Sequence, residues 1–255
     1  MTALLAASGL SKSFDGFKVL DDVSFSVPQR GLTGIVGTNG AGKSTLFAVV
    51  SGQLDADGGR VTFADADFTG LATMQRARLG LGRTFQVPRE FANLTVRENF
   101  LVAARREYGE TLRSVFIGWR RVSREEQTLR QRADGWIEFL NLKAVADKPA
   151  GTLSGGQKKL LELGRMLMLE PKCILLDEPF AGVNPVLVEE ISTRIRELNG
   201  SHGIAFVIIE HHLEALKALV QHLYVMDQGR VIADGDPAAV LGEPRVLEAY
   251  MGGVI

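Results

Sequence analysis

Nine consecutive residues constrain this chain more than any others: Gly37-Thr38-Asn39-Gly40-Ala41-Gly42-Lys43-Ser44-Thr45. From Gly37 to Ser44 they fit the phosphate-loop pattern G-x-x-x-x-G-K-[ST]. The apolar run 32–36 before them reads as a buried strand, and 43–50 after them reads as a helix stopped by Gly52. A phosphate loop needs that setting. Glycines let the backbone wrap the phosphates, and free N–H groups at the helix start face their negative charge. Lys43 is placed to reach the β- and γ-phosphates, and the Ser44 hydroxyl to ligate Mg²⁺. From average composition, four fixed positions recur by chance in on the order of one chain of this length in a hundred. The flanking strand and helix make an accidental turn rarer still, so the stretch points to nucleotide binding.

At 255 residues there is room for one large α/β domain, with or without a subdomain. A hydrophobic content of 45% is enough for a sizeable core, and a net charge of −1 argues against a general nucleic-acid binder. The single cysteine, Cys173, rules out an internal disulfide and suits a reducing compartment. No uninterrupted apolar run approaches the ~20 residues of a membrane-spanning helix. The first ten residues lack the basic and apolar regions of a secretory signal. The expectation is a soluble, cytoplasmic chain.

Short β-type runs occupy 3–7, 17–27 and 61–68, separated by Gly, Asp and Ser turns. Phe14 precedes the phosphate loop in an expected turn, where a core aromatic and an exposed ring stacked on a base are evenly matched. From 71 to 151 the pattern turns helical. A helix is expected over 95–108, and Ser123-Arg124-Glu125-Glu126 has the form of a capping box. Behind it Leu129, Ala133, Trp136, Ile137 and Leu140 recur at helical spacing. Between Arg105 and Arg132 eight arginines face four glutamates. A solvated face is the favoured account. The other is a surface near anionic headgroups, which attract cations at about 1 kcal/mol each. From 172 onward α/β alternation returns, with buried strands expected at 173–177 and 205–209. A helix face at Val188, Ile191, Ile195 and Leu198 is closed by Asn199-Gly200. A hairpin is expected around Asp227-Gln228-Gly229-Arg230, and short helices after Pro237 and Pro244.

Two further segments carry chemistry. Cys173-Ile174-Leu175-Leu176-Asp177-Glu178 is an apolar strand ending in two carboxylates, which a buried strand rarely presents without a compensating cation. Beside a phosphate loop, Asp177 suits Mg²⁺ and Glu178 suits the attacking water. Leu153-Ser154-Gly155-Gly156-Gln157 precedes an apolar helix. It reads either as a capped helix start or as a second phosphate-binding surface.

In this order the phosphate loop, Gln86, the Leu-Ser-Gly-Gly-Gln segment, Asp177-Glu178 and His211 resemble the ATP-binding subunit of an ABC transporter. The resemblance covers nearly the whole chain. It implies a P-loop NTPase core of α/β class with an antiparallel β-subdomain, over 1–86 and 152–255, and an extended helical subdomain over 87–151. It also implies that Phe14 stacks on adenine, and that Gln86 reaches Mg²⁺ and the water. Asp177 would help hold Mg²⁺, Glu178 would polarise the water, and His211 would contact the γ-phosphate of ATP. Ser154, Gly155, Gly156 and Gln157 would serve the nucleotide of an opposite subunit in a head-to-tail dimer. Ala181-Gly182-Val183-Asn184 would couple the two sites, with Asn184 where many relatives carry Asp. The implied partners are a second cassette, identical or paralogous, integral membrane permease subunits and a substrate-binding protein. The implied location is the inner face of the membrane, without nucleic acid.

Gly82-Arg83-Thr84-Phe85-Gln86, Glu178-Pro179-Phe180-Ala181-Gly182-Val183-Asn184-Pro185, Ile209-Glu210-His211 and the long arm around 108–130 are similar to branched-chain amino-acid importers. Urea and amide importers share much of this pattern, and lipopolysaccharide-export ATPases share part of it. Amino-acid import is the leading expectation. A soluble ABC-type regulator would carry a second cassette, a coiled-coil insertion or a basic linker. A metabolite kinase would not need residues 153–157.

Overall fold

Alternating apolar residues make the N-terminal part an antiparallel sheet. The computed structural model describes residues 3–84, 90–105 and 119–251. Strand β1 (Ala3–Phe14) and β2 (Phe17–Pro28) pair as a hairpin. Its turn, Asp15-Gly16, has both residues at positive φ, as a tight hairpin turn requires. After β3 (Leu32–Gly37) and α1 (Lys43–Val50), β4 (Gly58–Phe63) joins β1 from its other side. The run 61–68 is not one strand. Ala64 and Asp65 take φ of 48° and 65°, and the chain doubles back into the two-residue β5 (Ala66–Asp67). Helix α2 (Thr73–Arg78) follows, then β6 (Leu81–Arg83). The fully buried Phe47 of α1 packs with Leu5, Leu10 and Leu20 of the sheet. Such a side chain contributes about 1.5–3 kcal/mol relative to exposure.

Contacts divide the chain into two units, 1–86 with 172–255 and 87–171. The second unit is built on α3 (Val96–Ala103), α4 (Trp119–Phe139) and α5 (Gly155–Leu167). Thr95 and Glu98 form a reciprocal capping box at the start of α3. That helix stops at Ala103 because Ala104 is extended, short of the expected 108. The capping box expected at Ser123 is not formed: α4 is already under way from Trp119, and a cap needs extended backbone. Leu129, Ala133, Ile137 and Leu140 are buried as their spacing predicts. Residues 152–171 lie in this unit rather than with the core. The physical reason is the crossing of α5 on α3, where a Cβ at Gly164 would stand 2.2 Å from Phe100 Cζ and 2.9 Å from Leu140 Cδ1.

The chain re-enters the first unit at β7 (Cys173–Asp177), directly beside β6: Leu81 pairs with Cys173 and Arg83 with Leu175. Then come α6 (Pro185–His202), β8 (Ala205–Ile209) and α7 (Leu213–Leu219). They are followed by β9 (His222–Asp227), β10 (Arg230–Gly235), α8 (Pro237–Leu241) and α9 (Pro244–Met251). The second sheet has the order β10-β9-β3-β8-β7-β6, parallel except for β10. Strands β3, β7 and β8 are buried along their whole length, as interior strands of a parallel sheet are. Helix α6 runs past the expected stop at Asn199-Gly200 to a left-handed Gly203. Asn199 does not end it; its amide donates to the carbonyls of Arg30 and Ile204, tying down the connection that follows.

Gly164→Ala should lower stability by about 1–2 kcal/mol in urea unfolding, the overpacking outweighing the gain in helix propensity. In a Phe100→Leu background the same change should cost less.

Candidate active site

The phosphate loop leaves the C-terminal end of β3, the usual ligand edge of a parallel sheet. Gly37 passes so close to β9 that a Cβ there would lie 2.1 Å from the Met226 carbonyl oxygen. On its other flank, a Cβ at Gly42 would lie 2.6 Å from the Val19 carbonyl of β2. The β9–β10 turn braces the loop: Gly229 N–H donates to Ala41 O at 3.2 Å, and Thr38 Oγ1 to Asp227 Oδ1 at 3.2 Å. Asp21 of β2 accepts from Arg230 Nε at 2.7 Å and ties the turn to the antiparallel sheet. Inside the bend Lys43 Nζ donates to the carbonyls of Gly37 and Thr38, both at 2.8 Å. Burial pulls the Lys43 pKa below its usual value, and the charges of Glu178 and Asp177 oppose that shift. A cation is thereby kept in place before any phosphate arrives.

Asp177 ends β7, buried, and accepts from Arg83 Nη2 at 3.1 Å. Arg83 Nη1 also donates to Ser51 Oγ and Gln53 Oε1, and the guanidinium lies 5.8 Å from the Phe47 ring centre. Glu178 follows at φ 51°, an uncommon left-handed conformation for a non-glycine residue. Its N–H donates to Ile209 O at 2.9 Å, and its Oε1 stands 3.2 Å from His211 Nε2. One open cavity of about 300 Å³ is lined by residues 39–45, Val19, Glu178 and His211. It thus has loop amides and a cation on one side and a carboxylate paired with an imidazole on the other. Those are the parts for stabilising a phosphoryl group and polarising a water.

Residues 20–181 match the ABC transporter family, and residues 230–254 match a branched-chain amino acid ATP-binding cassette transporter family. The chain belongs to the ABC transporter family. It is 42% identical over 253 residues to a probable branched-chain amino acid transport ATP-binding protein, LivG, of Methanocaldococcus jannaschii, covering 98% of this chain and 97% of that one. The LivG protein of Archaeoglobus fulgidus is 41% identical over 250 residues, covering 98% and 95%. A solved ADP conformation of an ATP-binding cassette of an ABC transporter superposes with a TM-score of 0.84 at 38% identity, covering 99% of this chain and 100% of that one.

In this cassette, Asn39 to Thr45, Glu178 and His211 converge on the cavity, with Gly37 and Thr38 at the loop's root. Asp177 lies outside the cavity lining, its carboxylate bonded to Arg83. Phe14 is 43% exposed at the end of β1, which removes the core reading, and it does not line the cavity. Gln86 lies outside the described residues. Ser154 caps α5 in the second unit, its Oγ accepting from Gln157 N–H while Gln157 Oε1 accepts from Ser154 N–H; Ser154 and Gly155 are exposed.

Three contributors were not read from the sequence. Arg83 is the cation that the acid pair demands, and its own apolar strand was the available signal. His212 caps α7 through Nδ1, which accepts from Ala215 N–H at 3.2 Å. Burial pushes the Tyr250 phenol of α9 up to about 12, with the Gly37 backbone opposing that shift. No local pattern announces such a contact across the chain.

Arg83→Met should destabilise the cassette by about 3 kcal/mol in urea, since Asp177 would stay buried and unpaired. Adding Asp177→Asn should recover part of that loss.

Proposed function

We propose that this cassette hydrolyses ATP, in concert with a second cassette, to drive uptake of branched-chain or other amino acids through integral membrane subunits. The observation that carries it is the convergence of Lys43, Glu178 and His211 on the cavity above the phosphate loop. The cargo class rests on the identity to LivG proteins across 98% of the chain. No described helix is long and apolar enough to cross a membrane. The place of work is the inner face of the membrane, with a substrate-binding protein delivering the solute outside.

The chemistry follows from the side chains. Residues 37–45 bind the phosphates through backbone N–H groups, and Lys43 adds the charge. The Ser44 hydroxyl and Asp177 carboxylate are hard oxygen donors, which fits Mg²⁺, an ion that takes one or two carboxylates plus phosphates and water. When bound, Mg²⁺ supplies neutralisation of the developing phosphate charge. Gln86 completes that set and senses the nucleotide. Glu178 polarises the attacking water, and His211, 3.2 Å from it, contacts the γ-phosphate. Phe14 stacks on the adenine. Residues Ser154, Gly155, Gly156 and Gln157 of one cassette close over the nucleotide of the other. The γ-phosphate favours the closed pair through contacts absent from the open one, and only such differential affinity shifts the equilibrium. Hydrolysis removes those contacts and reopens the dimer.

Lys43→Ala should weaken ATP binding roughly ten- to hundredfold in a direct titration. Unchanged affinity would refute the loop assignment. Glu178→Gln should still bind ATP, lose ~10²-fold or more in turnover and accumulate an ATP-bound dimer on size exclusion. Cells lacking the chain should lose labelled leucine uptake, restored by the natural protein and not by Glu178→Gln.

A further inference from the structure

Glu210 is a buried carboxylate, 3% exposed, to which the mechanism above gives no task. It stands where β7 and β8 part. The two strands pair as far as Asp177 opposite Ile209, and one more ladder bond follows, Glu178 N–H to Ile209 O. Beyond it one chain turns into the segment carrying Glu178 and Phe180, the other into His211 and His212. The Glu210 side chain fills that gap. Its Oε1 accepts from Phe180 N–H at 2.6 Å, and its Oε2 accepts from the N–H groups of His211 at 2.9 Å and His212 at 3.2 Å.

A carboxylate is the one side chain that offers only acceptors on both of its oxygens, as these N–H donors require. The two peptide groups flanking the His211 Cα are both held by Oε2, so the backbone rotations on either side of that Cα are fixed. His212 is anchored in turn at the start of α7. The other oxygen holds Phe180, two residues beyond Glu178. One acid therefore joins the two segments whose side chains meet at 3.2 Å.

We propose that Glu210 is a positioning residue that holds His211 against Glu178. The proposal rests on the functional reading of those two groups, and it concerns what keeps them together. Glu210→Gln tests it. Glutamine keeps one acceptor oxygen and sets an NH₂ against N–H donors, so it can serve one segment but not both. Turnover should fall about tenfold or more, since small misplacements of reacting groups are costly. ATP affinity should stay within about twofold, because residues 37–45 are untouched. In a His211→Ala background the same substitution should cost less than about twofold, the signature of two residues acting as one unit. A merely structural acid would reduce turnover by the same factor with or without His211, and that result overturns the proposal.

A crystal structure of Glu210→Gln decides independently of catalysis. His211 Nε2 and Glu178 Oε1 should separate beyond about 3.5 Å; their retention in contact overturns the proposal whatever the turnover. If the natural protein hydrolysed ATP without any dependence on His211, the functional reading would fail instead, and the crystal structure would still decide what Glu210 holds. Should Glu210→Gln not fold, Glu210→Asp, which keeps both oxygens but is one methylene shorter, gives the same readouts with the same expected directions.

Discussion

The bend between β3 and α1 exists because one ammonium group pulls it shut. Lys43 spends its donors on the carbonyls of Gly37 and Thr38, and those bonds fold the loop so that residues 39–45 wall the cavity. A loop so tight cannot also carry side chains on its inner flanks. Strand β9 approaches Gly37 and strand β2 approaches Gly42 as closely as backbone can. The antiparallel sheet and the β9–β10 turn are thus walls of the loop as much as structure in their own right. The ion pair of Arg230 with Asp21 joins those walls to each other.

Charge is balanced within the same few ångströms. Burying Asp177 at the end of a fully apolar strand is costly unless a cation accompanies it, and Arg83 from the neighbouring strand does so. Arg83 is in turn held by Ser51 and Gln53 just beyond α1, so the helix that carries Lys43 also locates the partner of Asp177. Glu178, next along, is turned out of the strand by a left-handed residue and meets imidazole instead of guanidinium. Two adjacent acids therefore have different companions.

Much of this was legible before any coordinates. Strand β8 is wholly apolar, β7 is apolar up to Asp177 and β3 is broken only by Thr33 and glycines, and such runs have few places to go other than the middle of a parallel sheet. Helix α1 and the cap at Ser154 follow from local chemistry, and local chemistry is what residue order displays. The misses share a cause. Ser123 has the right neighbours for a cap, but the helix had already begun upstream. Arg83, Glu210 and Tyr250 matter through partners dozens of residues away, or through turns that appear only once strands diverge. Residue spacing cannot display a contact that the tertiary fold creates.

Strands β6 and β7, one on each side of the 87–171 excursion, are hydrogen-bonded neighbours. The excursion therefore begins and ends at a stitched seam, and lengthening a loop whose ends are already joined adds little entropic cost. Its length can therefore change without disturbing the sheet that carries the phosphate loop.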